Sequence, residues 1–162
     1  MAAVIIALGS NMGDRLEHLS RARAYLKNLS ENTLQASAVY VSEPVGPSER
    51  DYYNAAVRLH TDLLPHELLK KLKEYERRHG RDPQARRWSA RTIDLDIIGY
   101  DDLVLHSDTL IIPHPEYRGR SFVLLPLRDI NPGWKDPESG ESLAELMDKA
   151  PDMKIRKTEL HF

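Results

Sequence analysis

Two aspartates, spaced two residues apart in a strand-like segment, are the first residues that could do chemistry. Asp94 and Asp96 alternate with Ile93, Leu95 and Ile97 in the segment TIDLDII. Aspartate is depleted in β-strands, so the pair calls for an explanation. If the segment is a strand, both carboxylates share one face, with Cα atoms roughly 7 Å apart. The pair is then either the polar face of a half-exposed strand or a cation site. Two carboxylates suit Mg²⁺, which keeps waters and takes further oxygens from substrate phosphates.

An arginine-rich segment directly precedes the aspartates. Residues 77–91, RRHGRDPQARRWSAR, contain six arginines and one aspartate, a local net charge of +5. Such a segment is either a solvated basic loop or an anion site. Arginines beside paired carboxylates are components of phosphoryl transfer, which depends mainly on positioning and charge neutralisation. The sequence has no G-x-x-x-x-G-K-[ST] or G-x-G-x-x-G pattern, so a site for ATP here would differ from the common NTPase and protein-kinase designs.

The composition is that of a globular domain. The chain has 162 residues, of which 41% are hydrophobic and 30% charged, with a net charge of −2 and no cysteine. This length predicts one domain with a sizeable core, and the charge balance argues against disorder and against a globally basic nucleic-acid binder. Disulfides and thiolate metal sites are excluded. The apolar run at residues 2–8 is too short to span a membrane and lacks a signal-peptide layout, so we expect a cytoplasmic protein.

The elements that must position the acidic pair follow the order β-α-β-β-α-β. Apolar runs and period-two alternation predict strands, and apolar residues at helical spacing predict helices. The strands are expected at residues 2–9, 33–42, 52–61 and 92–100, and the helices at residues 16–29 and 65–79. This order indicates an α+β fold with a ferredoxin-like βαββαβ core, an antiparallel sheet with added helices and α-β-α layers.

Local signals predict further details. Asn11 is expected to cap the first helix, and the acidic dipeptide at 101–102 is expected to turn the chain into a hairpin with LVLH. Residues 121–130 are expected to form a short helix. Ser142 and Glu145 form a capping box that predicts a last helix. A short strand is expected to close the chain.

Several sequence blocks, in order, resemble one known family. They are ALGSN at 7–11, EPVGP at 43–47, YYNAAV at 52–57, GR at 80–81, RWSARTIDLDII at 87–98, and PHP at 113–115 before GRSFVLLPL at 119–127. From about residue 4 to residue 135 the chain resembles the 6-hydroxymethyl-7,8-dihydropterin pyrophosphokinases. The resemblance implies transfer of pyrophosphate from ATP to the hydroxymethyl group of that pterin, with release of AMP, in folate biosynthesis. It implies attack of the substrate hydroxyl on the β-phosphorus without a covalent enzyme intermediate.

The resemblance also assigns roles to matched positions. Asp94 and Asp96 would bind two Mg²⁺ ions that accompany ATP. Arg81 and Arg91 would be the catalytic pair that neutralises charge on the transferred group. The remaining matched positions for ATP are Glu76, Arg87, Trp88, Ile97, His114 and Arg120.

A second set of matched positions would bind the pterin. Tyr52 and Phe122 would sandwich its flat ring, which suits offset aromatic stacking. Asn54 can offer a donor and an acceptor to the amide-like edge of the pterin. Ser42 and Val45 would offer backbone contacts. Positions that depart from the family pattern affect nucleotide contacts rather than the reaction; they are Lys73, Pro83, Gln84, Thr109, Ile111 and Pro115.

Two other functions fit parts of the sequence. One is an RNA-binding ferredoxin-like module that uses the arginine-rich loop, with affinity that falls steeply as salt rises. The other is a Mg²⁺-dependent phosphohydrolase that uses the two aspartates. The net acidic chain lacks aromatic residues interleaved along a strand face, which argues against RNA. We therefore expect a monomer that binds ATP and 6-hydroxymethyl-7,8-dihydropterin, with no nucleic-acid or membrane partner.

Overall fold

The central sheet is antiparallel, and the apolar N-terminal segment is one of its inner strands. The structure, a computed structural model, describes residues 1–31, 33–44, 50–79 and 92–162. In these ranges the strands are β1 (Ala2–Ser10), β2 (Gln35–Ala36), β3 (Tyr40–Ser42), β4 (Tyr52–Thr61), β5 (Asp94–Tyr100), β6 (Leu105–His106), β7 (Ile111–Ile112) and β8 (Ile155–Lys157). The helices are α1 (Arg15–Leu29), α2 (Pro65–His79), α3 (Ser121–Ile130) and α4 (Leu143–Lys149), with a 3₁₀ turn at Tyr117–Gly119.

The strand order is β5-β1-β4-β3-β8, with β2 also pairing with β4. Strand β1 pairs along its whole length with β4 and over most of its length with β5, antiparallel on both sides. The βαββαβ order with β1 between β5 and β4 is the predicted ferredoxin-like core, which is thus confirmed. Strand β8 extends the sheet beyond β3, which confirms the expected closing strand.

Helices cover both faces of the sheet, so the predicted α-β-α layering is confirmed. Helices α1 and α2 pack on one face, where Val4, Ile6 and Leu8 of β1 point. Helices α3 and α4 pack on the other face, against Ile5 of β1 and Ala56 of β4. Burial on both faces explains why β1 reads as a continuous apolar run instead of an alternating one.

The residue that caps the first helix differs from the predicted one. The prediction that Asn11 caps it is wrong: the N-cap is Asp14, whose Oδ1 accepts a hydrogen bond from the backbone N of Glu17 at 3.2 Å. Gly13 has a φ of +64°, a left-handed conformation that glycine tolerates and that turns the chain out of β1. Asn11 therefore belongs to the connecting turn.

The second predicted strand is divided into two. Ser37 interrupts it. The side-chain Oγ of Ser37, instead of a backbone carbonyl, accepts the hydrogen bond from the backbone N of Ala56, at 2.8 Å. The next backbone N–H, that of Ala38, donates to Oδ2 of Asp129 on α3 at 3.1 Å. The Asp129 carboxylate, in the helix layer, thus accepts from a backbone N–H group that would donate to a neighbouring strand if the second strand were continuous.

The turn at residues 101–102 is present, but the prediction that it forms a hairpin between β5 and LVLH is wrong. Strand β6 pairs with β7, not with β5. The backbone N of Asp101 donates to the carbonyl of Ala3 at 2.7 Å. In return, the side-chain Oδ1 of Asp101 accepts a hydrogen bond from the backbone N of Ala3 at 2.8 Å. These contacts hold the turn to β1. At the other edge of β5, His114 N donates to the carbonyl of Ile98 at 3.0 Å, so the chain after β7 lies where a hairpin strand would have paired.

The remaining local predictions are confirmed. Residues 121–130 form α3, and α4 begins with the predicted capping box. Ser142 Oγ accepts from Glu145 N at 3.2 Å, while Glu145 Oε1 accepts from Ser142 N at 3.3 Å. In the described ranges, no helix combines the length and apolarity needed to cross a membrane.

A buried hydrogen-bond network anchors the loop that leads into α3. The Tyr117 hydroxyl donates to Asp136 Oδ2 at 2.5 Å and accepts from Trp134 Nε1 at 3.1 Å. Arg118 donates to both carboxylate oxygens of Asp136, at 2.5 and 3.1 Å. Tyr117 and Asp136 are almost fully buried. The network therefore gives the segment between β7 and α3 a defined position.

The charge of Asp136 is stabilised in place. Burial alone would raise the pKa of this carboxyl, but hydrogen bonds from Arg118, from Tyr117 and from the backbone N–H groups of residues 138–139 hold that pKa well below its usual range. Asp136 is therefore ionised at neutral pH, and its pairing favours the folded state. This stabilisation is fully present above the unfolded-state pKa, near 3.9, and is lost as pH falls toward the lower folded-state pKa.

Replacing Asp136 by asparagine should lower the free energy of unfolding at pH 7 by about 3 kcal/mol, because Arg118 and the buried Tyr117 hydroxyl would lose the charged acceptor that they share. The difference between Asp136→Asn and wild type should shrink below about pH 4, where wild type loses the same contribution. Urea unfolding at pH 7 and pH 3 measures both effects. The exposed Asp152→Asn variant is the control. A deficit that stays equal at both pH values would contradict the assignment.

Candidate active site

A cavity of about 210 Å³ lies over the middle of the sheet, on the α3 side. Four strands and α3, together with the loop before it, contribute to its wall. The lining residues are Ala7, Leu8, Gly9, Ser42, Glu43, Tyr52, Asn54, Asp94, Asp96, Ile98, His114, Arg120, Phe122 and Val123. The structure thus brings together eight residues that the sequence analysis assigned: Ser42, Tyr52, Asn54, Asp94, Asp96, His114, Arg120 and Phe122.

Small residues of β1 form the floor of this cavity. Gly9 is in register with Asn54 of β4 on one side and with Asp94 of β5 on the other. Ala7 occupies the corresponding position beside Asp96. A Cβ atom at Gly9 would lie 3.7 Å from Asn54 Oδ1, so a larger side chain there would occupy the floor. This floor was not predicted from the sequence, although the alternation of large and small residues in IIALG, at residues 5–9, is a signal for it.

The paired aspartates stand on one face of β5, as predicted. Asp94 and Asp96 are half-buried and line the cavity, while Leu95 and Ile97 between and beyond them are buried in the opposite core. At a Cα separation of roughly 7 Å, two carboxylates repel by about 0.6 kcal/mol in water and about 2.4 kcal/mol at an effective dielectric of 20. A cation between them would remove this repulsion.

The donor set around the aspartates fits Mg²⁺. Among the described residues, no group of three or more histidine or acidic side chains converges on one point. A cation held by Asp94 and Asp96 would therefore complete its coordination with water and substrate oxygens, as Mg²⁺ does in phosphoryl-transfer sites.

Glu76 adds a third negative group near the pair. It is buried on α2, and Lys73 Nζ lies 3.2 Å from its Oε1. Burial raises the pKa of Glu76; Lys73 opposes the shift, while the carboxylates of Asp94 and Asp96 add to it. The raised pKa of Glu76 thus reflects burial of its carboxyl together with the negative charge on β5.

A second cavity, of about 250 Å³, adjoins the first and shares Asp96 and His114 with it. Apolar and polar residues in equal number form its wall, mostly from α2, β5 and the β6–β7 connection. The lining residues are Leu69, Lys73, Leu95, Asp96, Ile97, Ser107, Asp108, Thr109, Leu110, Ile111, His114 and Pro115. Four of the positions that depart from the family pattern, Lys73, Thr109, Ile111 and Pro115, lie on this wall.

His114 connects the two cavities. Burial lowers the pKa of its imidazole, the carboxylate of Asp96 opposes that shift, and the charge of Arg120 adds to it. Burial thus favours the neutral ring, with a carboxylate beside it. Arg120 is ion-paired with Glu116, and its guanidinium lies 5.6 Å from the ring centroid of Phe122.

A β-bulge in β5 positions His114. Ile5 of β1 is opposite Gly99, but Ile6 is opposite Ile97, so Ile98 is the extra residue. The carbonyl of Ile98 accepts the hydrogen bond from His114 N. The next residue, Gly99, lies under the indole of Trp134, where a Cβ atom would approach Cη2 to 2.4 Å.

Five predicted site residues, Val45, Arg81, Arg87, Trp88 and Arg91, lie outside the described residues.

Comparisons with known proteins define first the class and then the family. Two carboxylates, a histidine and an arginine around a cavity on an α+β sheet are typical of phosphotransferases, and the chain is an enzyme of that class, a kinase-type diphosphotransferase. The family model for 7,8-dihydro-6-hydroxymethylpterin-pyrophosphokinase matches residues 5–132. The chain belongs to this family, whose reaction uses ATP in folate biosynthesis; the family and the reaction type expected from the sequence are confirmed.

Individual relatives agree. The chain is 39% identical over 146 residues to a Synechocystis protein, which covers 90% of this chain and 74% of the relative. It is 37% identical over 159 residues to a Haemophilus influenzae protein, and this match covers 97% of this chain and 98% of the relative. Both are named 2-amino-4-hydroxy-6-hydroxymethyldihydropteridine pyrophosphokinase. A solved HPPK-DHPS chain in complex with substrates has a TM-score of 0.69 at 13% identity and covers 91% of this chain, which spans 43% of that longer chain. This likeness shows the fold.

Replacing Gly99 by alanine should lower the free energy of unfolding by about 1–3 kcal/mol, because the new methyl group forces Trp134 to move. The cost should be smaller in a Trp134→Phe background, which a double-mutant cycle by urea unfolding measures. Gly133→Ala is the matched control, since a Cβ atom there meets no atom within 4 Å. An equal cost in both backgrounds would show that Trp134 is not the reason for this glycine.

Proposed function

We propose that this chain transfers the pyrophosphoryl group of ATP to the hydroxymethyl oxygen of 6-hydroxymethyl-7,8-dihydropterin. A bond forms between that oxygen and the β-phosphorus, while the bond from the β-phosphorus to the oxygen bridging the α-phosphorus breaks. AMP leaves with the electron pair, and the hydroxyl proton is released. The observation that carries the proposal is the division of one cavity: aromatic and amide side chains lie on its β4 and α3 sides, and two carboxylates lie on its β5 side.

The β4 and α3 sides would bind the pterin. Tyr52 and Phe122 supply aromatic faces from different elements on the same cavity, which suits a flat heterocycle. Asn54 is buried at the floor, and its amide would contact the polar edge of the ring. Ser42 lines the same wall, and Val45 follows it in the chain. The small residues of β1 leave room for a ligand that spans from this side to the aspartates.

The β5 side would bind the triphosphate. Asp94 and Asp96 would hold two Mg²⁺ ions, which when bound neutralise phosphate charge and orient the transferred group. Pairing of β5 with β1 sets the direction in which the two carboxylates point. Arg120, already in an ion pair at the cavity, would exchange Glu116 for a phosphate oxygen.

The adjoining cavity would hold the rest of the nucleotide. Ile97 and the apolar wall offer a surface for a base, and His114 lies between this surface and the aspartates. Glu76, Arg87 and Trp88 complete the proposed ATP site. By their matched positions, Arg81 and Arg91 would neutralise charge that develops on the transferred group.

We also propose that the 162 residues form a single pyrophosphokinase domain that acts as a monomer in the cytoplasm, without nucleic-acid or membrane partners. The net charge of −2 argues against a nucleic-acid or anionic-membrane partner. Sedimentation equilibrium tests the monomer.

The deciding experiment combines the protein with ATP, Mg²⁺ and 6-hydroxymethyl-7,8-dihydropterin and follows AMP. Release of AMP that requires the pterin supports the proposal. Phosphate release without the pterin would indicate a phosphohydrolase. Salt-sensitive RNA affinity in the absence of turnover would indicate the RNA-binding alternative.

Replacing Asp94 or Asp96 by alanine should lower turnover by more than tenfold at saturating Mg²⁺, a loss of over about 1.4 kcal/mol of transition-state stabilisation. Each variant should still unfold cooperatively on heating, because both side chains are half-buried at the cavity and do not belong to the apolar core. Steady-state AMP release measures the effect, with Asp102→Ala in the exposed turn as the control. Retention of more than a tenth of wild-type turnover would exclude the metal role.

Replacing Tyr52 or Phe122 by alanine should weaken pterin binding by about 1–3 kcal/mol, with a smaller effect on ATP binding. Titration calorimetry with pterin, in the presence of a non-hydrolysable ATP analogue, measures the first affinity. Tyr53→Ala is the matched control, because Tyr53 is on the opposite face of β4 and packs against the other core. Unchanged pterin affinity in both variants would contradict the aromatic sandwich.

A further inference from the structure

Ser10, the last residue of β1, is fully buried and forms a hydrogen bond to the chain just before β5. The Ser10 hydroxyl donates to the backbone carbonyl of Thr92 at 2.6 Å, and Ser10 has 0% of its surface exposed. A backbone carbonyl can only accept a hydrogen bond, so the hydroxyl must be the donor. This side chain therefore connects the end of β1 to the residues that lead into β5.

The hydrogen bond continues the pairing of β1 with β5 beyond the end of their ladder. The paired residues of the two strands end at Gly9 and Asp94. On its other side, Ser10 is still opposite Tyr53 of β4. Because the Ser10 side chain holds the carbonyl of Thr92, β5 is attached to β1 on both sides of Asp94.

Asp94 is the member of the acidic pair that depends most on this attachment. It is the first residue of β5, whereas Asp96 lies inside the strand and is opposite Ala7 of β1. The ends of secondary-structure elements open locally at a low free-energy cost, and such opening would change the direction of a carboxylate there. A residue that binds a metal ion depends on neighbouring groups that fix its orientation.

We propose that Ser10 is a positioning residue for Asp94: its buried hydroxyl fixes the entry of β5 and thereby directs the Asp94 carboxylate toward the cation. The inference rests on the proposed function, in which Asp94 binds Mg²⁺. It adds to that function a residue that holds the metal side of the site without contacting a ligand.

Ser10 would act from the opposite side of the sheet. By strand alternation it shares the face of Leu8, whose side chain belongs to the core under α1 and α2, while Gly9 between them lies at the cavity. Of the residues that the structure describes, neither Ser10 nor Thr92 lines either cavity. An effect of Ser10 on metal binding would therefore have to pass through the backbone of β5.

The test compares Ser10→Ala with Ser37→Ala as a matched control. Ser37 is also a buried serine of this sheet, and its hydroxyl also contacts strand backbone, at Ala56 of β4. Each variant loses one buried hydroxyl, so the midpoint of urea unfolding should fall in both. The probe is Mn²⁺ with a non-hydrolysable ATP analogue. Water-proton relaxation gives the dissociation constant of ions held on the protein, and the Mg²⁺ concentration for half-maximal AMP release is a second measurement.

We expect the Mn²⁺ dissociation constant to rise about tenfold in Ser10→Ala and to stay within about twofold of wild type in Ser37→Ala. The Mg²⁺ concentration for half-maximal AMP release should shift in the same way. A double-mutant cycle assigns the effect to one aspartate. Ser10→Ala should weaken Mn²⁺ binding by less than about twofold in an Asp94→Asn background and by the full amount in an Asp96→Asn background.

Wild-type Mn²⁺ affinity in Ser10→Ala, an equal loss in Ser37→Ala, or a full loss in the Asp94→Asn background would overturn the inference while leaving the proposed function intact. If Ser10→Ala does not fold, Ser10→Cys, which keeps the side-chain size but only a weak donor, is measured against the same outcomes. Equal Mn²⁺ affinity of wild type and Asp94→Asn would overturn the proposed metal role and this inference with it.

Discussion

The register of β1 against its two neighbours is the constraint on which the site depends. Side chains on a strand alternate between faces, so a shift of one residue would move Asp94 and Asp96 into the core and bring Leu95 to the cavity. Antiparallel pairing on both sides of β1 prevents such a shift, because β1 buries apolar side chains in two cores at once. The same register places Gly9 between Asn54 and Asp94, so that the proposed pterin and metal sides face each other across one small residue.

A second level of structure positions the loop between β7 and α3. The bulge at Ile98 frees a carbonyl that holds His114, and Gly99 next to it admits the indole of Trp134. Trp134 in turn belongs to the buried network of Tyr117 and Asp136. His114 is thus held by a carbonyl at the cavity wall, while the segment that carries His114 and Arg120 is anchored by a buried network that does not line the cavity. This arrangement is typical of functional sites whose geometry must be set before the ligand arrives.

The electrostatics of the site favour positive charge in the ligand complex. The pKa of Glu76 is raised by burial and by the carboxylates of Asp94 and Asp96, and Lys73 opposes this shift. A cation bound at the two aspartates would weaken their effect on Glu76. The proposed triphosphate with its cations would need partners of both signs, which the acidic pair on β5 and the arginine-rich segment before it would supply.

Part of this protein was determined by its sequence alone. Periodicity placed the long strands and helices, the capping box placed α4, and alternation placed the two aspartates on one face, because these signals depend on neighbours a few residues away. Recognition of the family blocks identified most cavity residues. Other features needed partners distant in the chain. Asp129 and Ala56 divide the second strand, and Asp101 with Ala3 and His114 with Ile98 redirect the chain after β5. The hydrogen bond from Ser10 to Thr92 and the need for glycine under Trp134 were likewise decided only by tertiary structure, because hydrogen-bond partners and packing distances arise when separate elements meet.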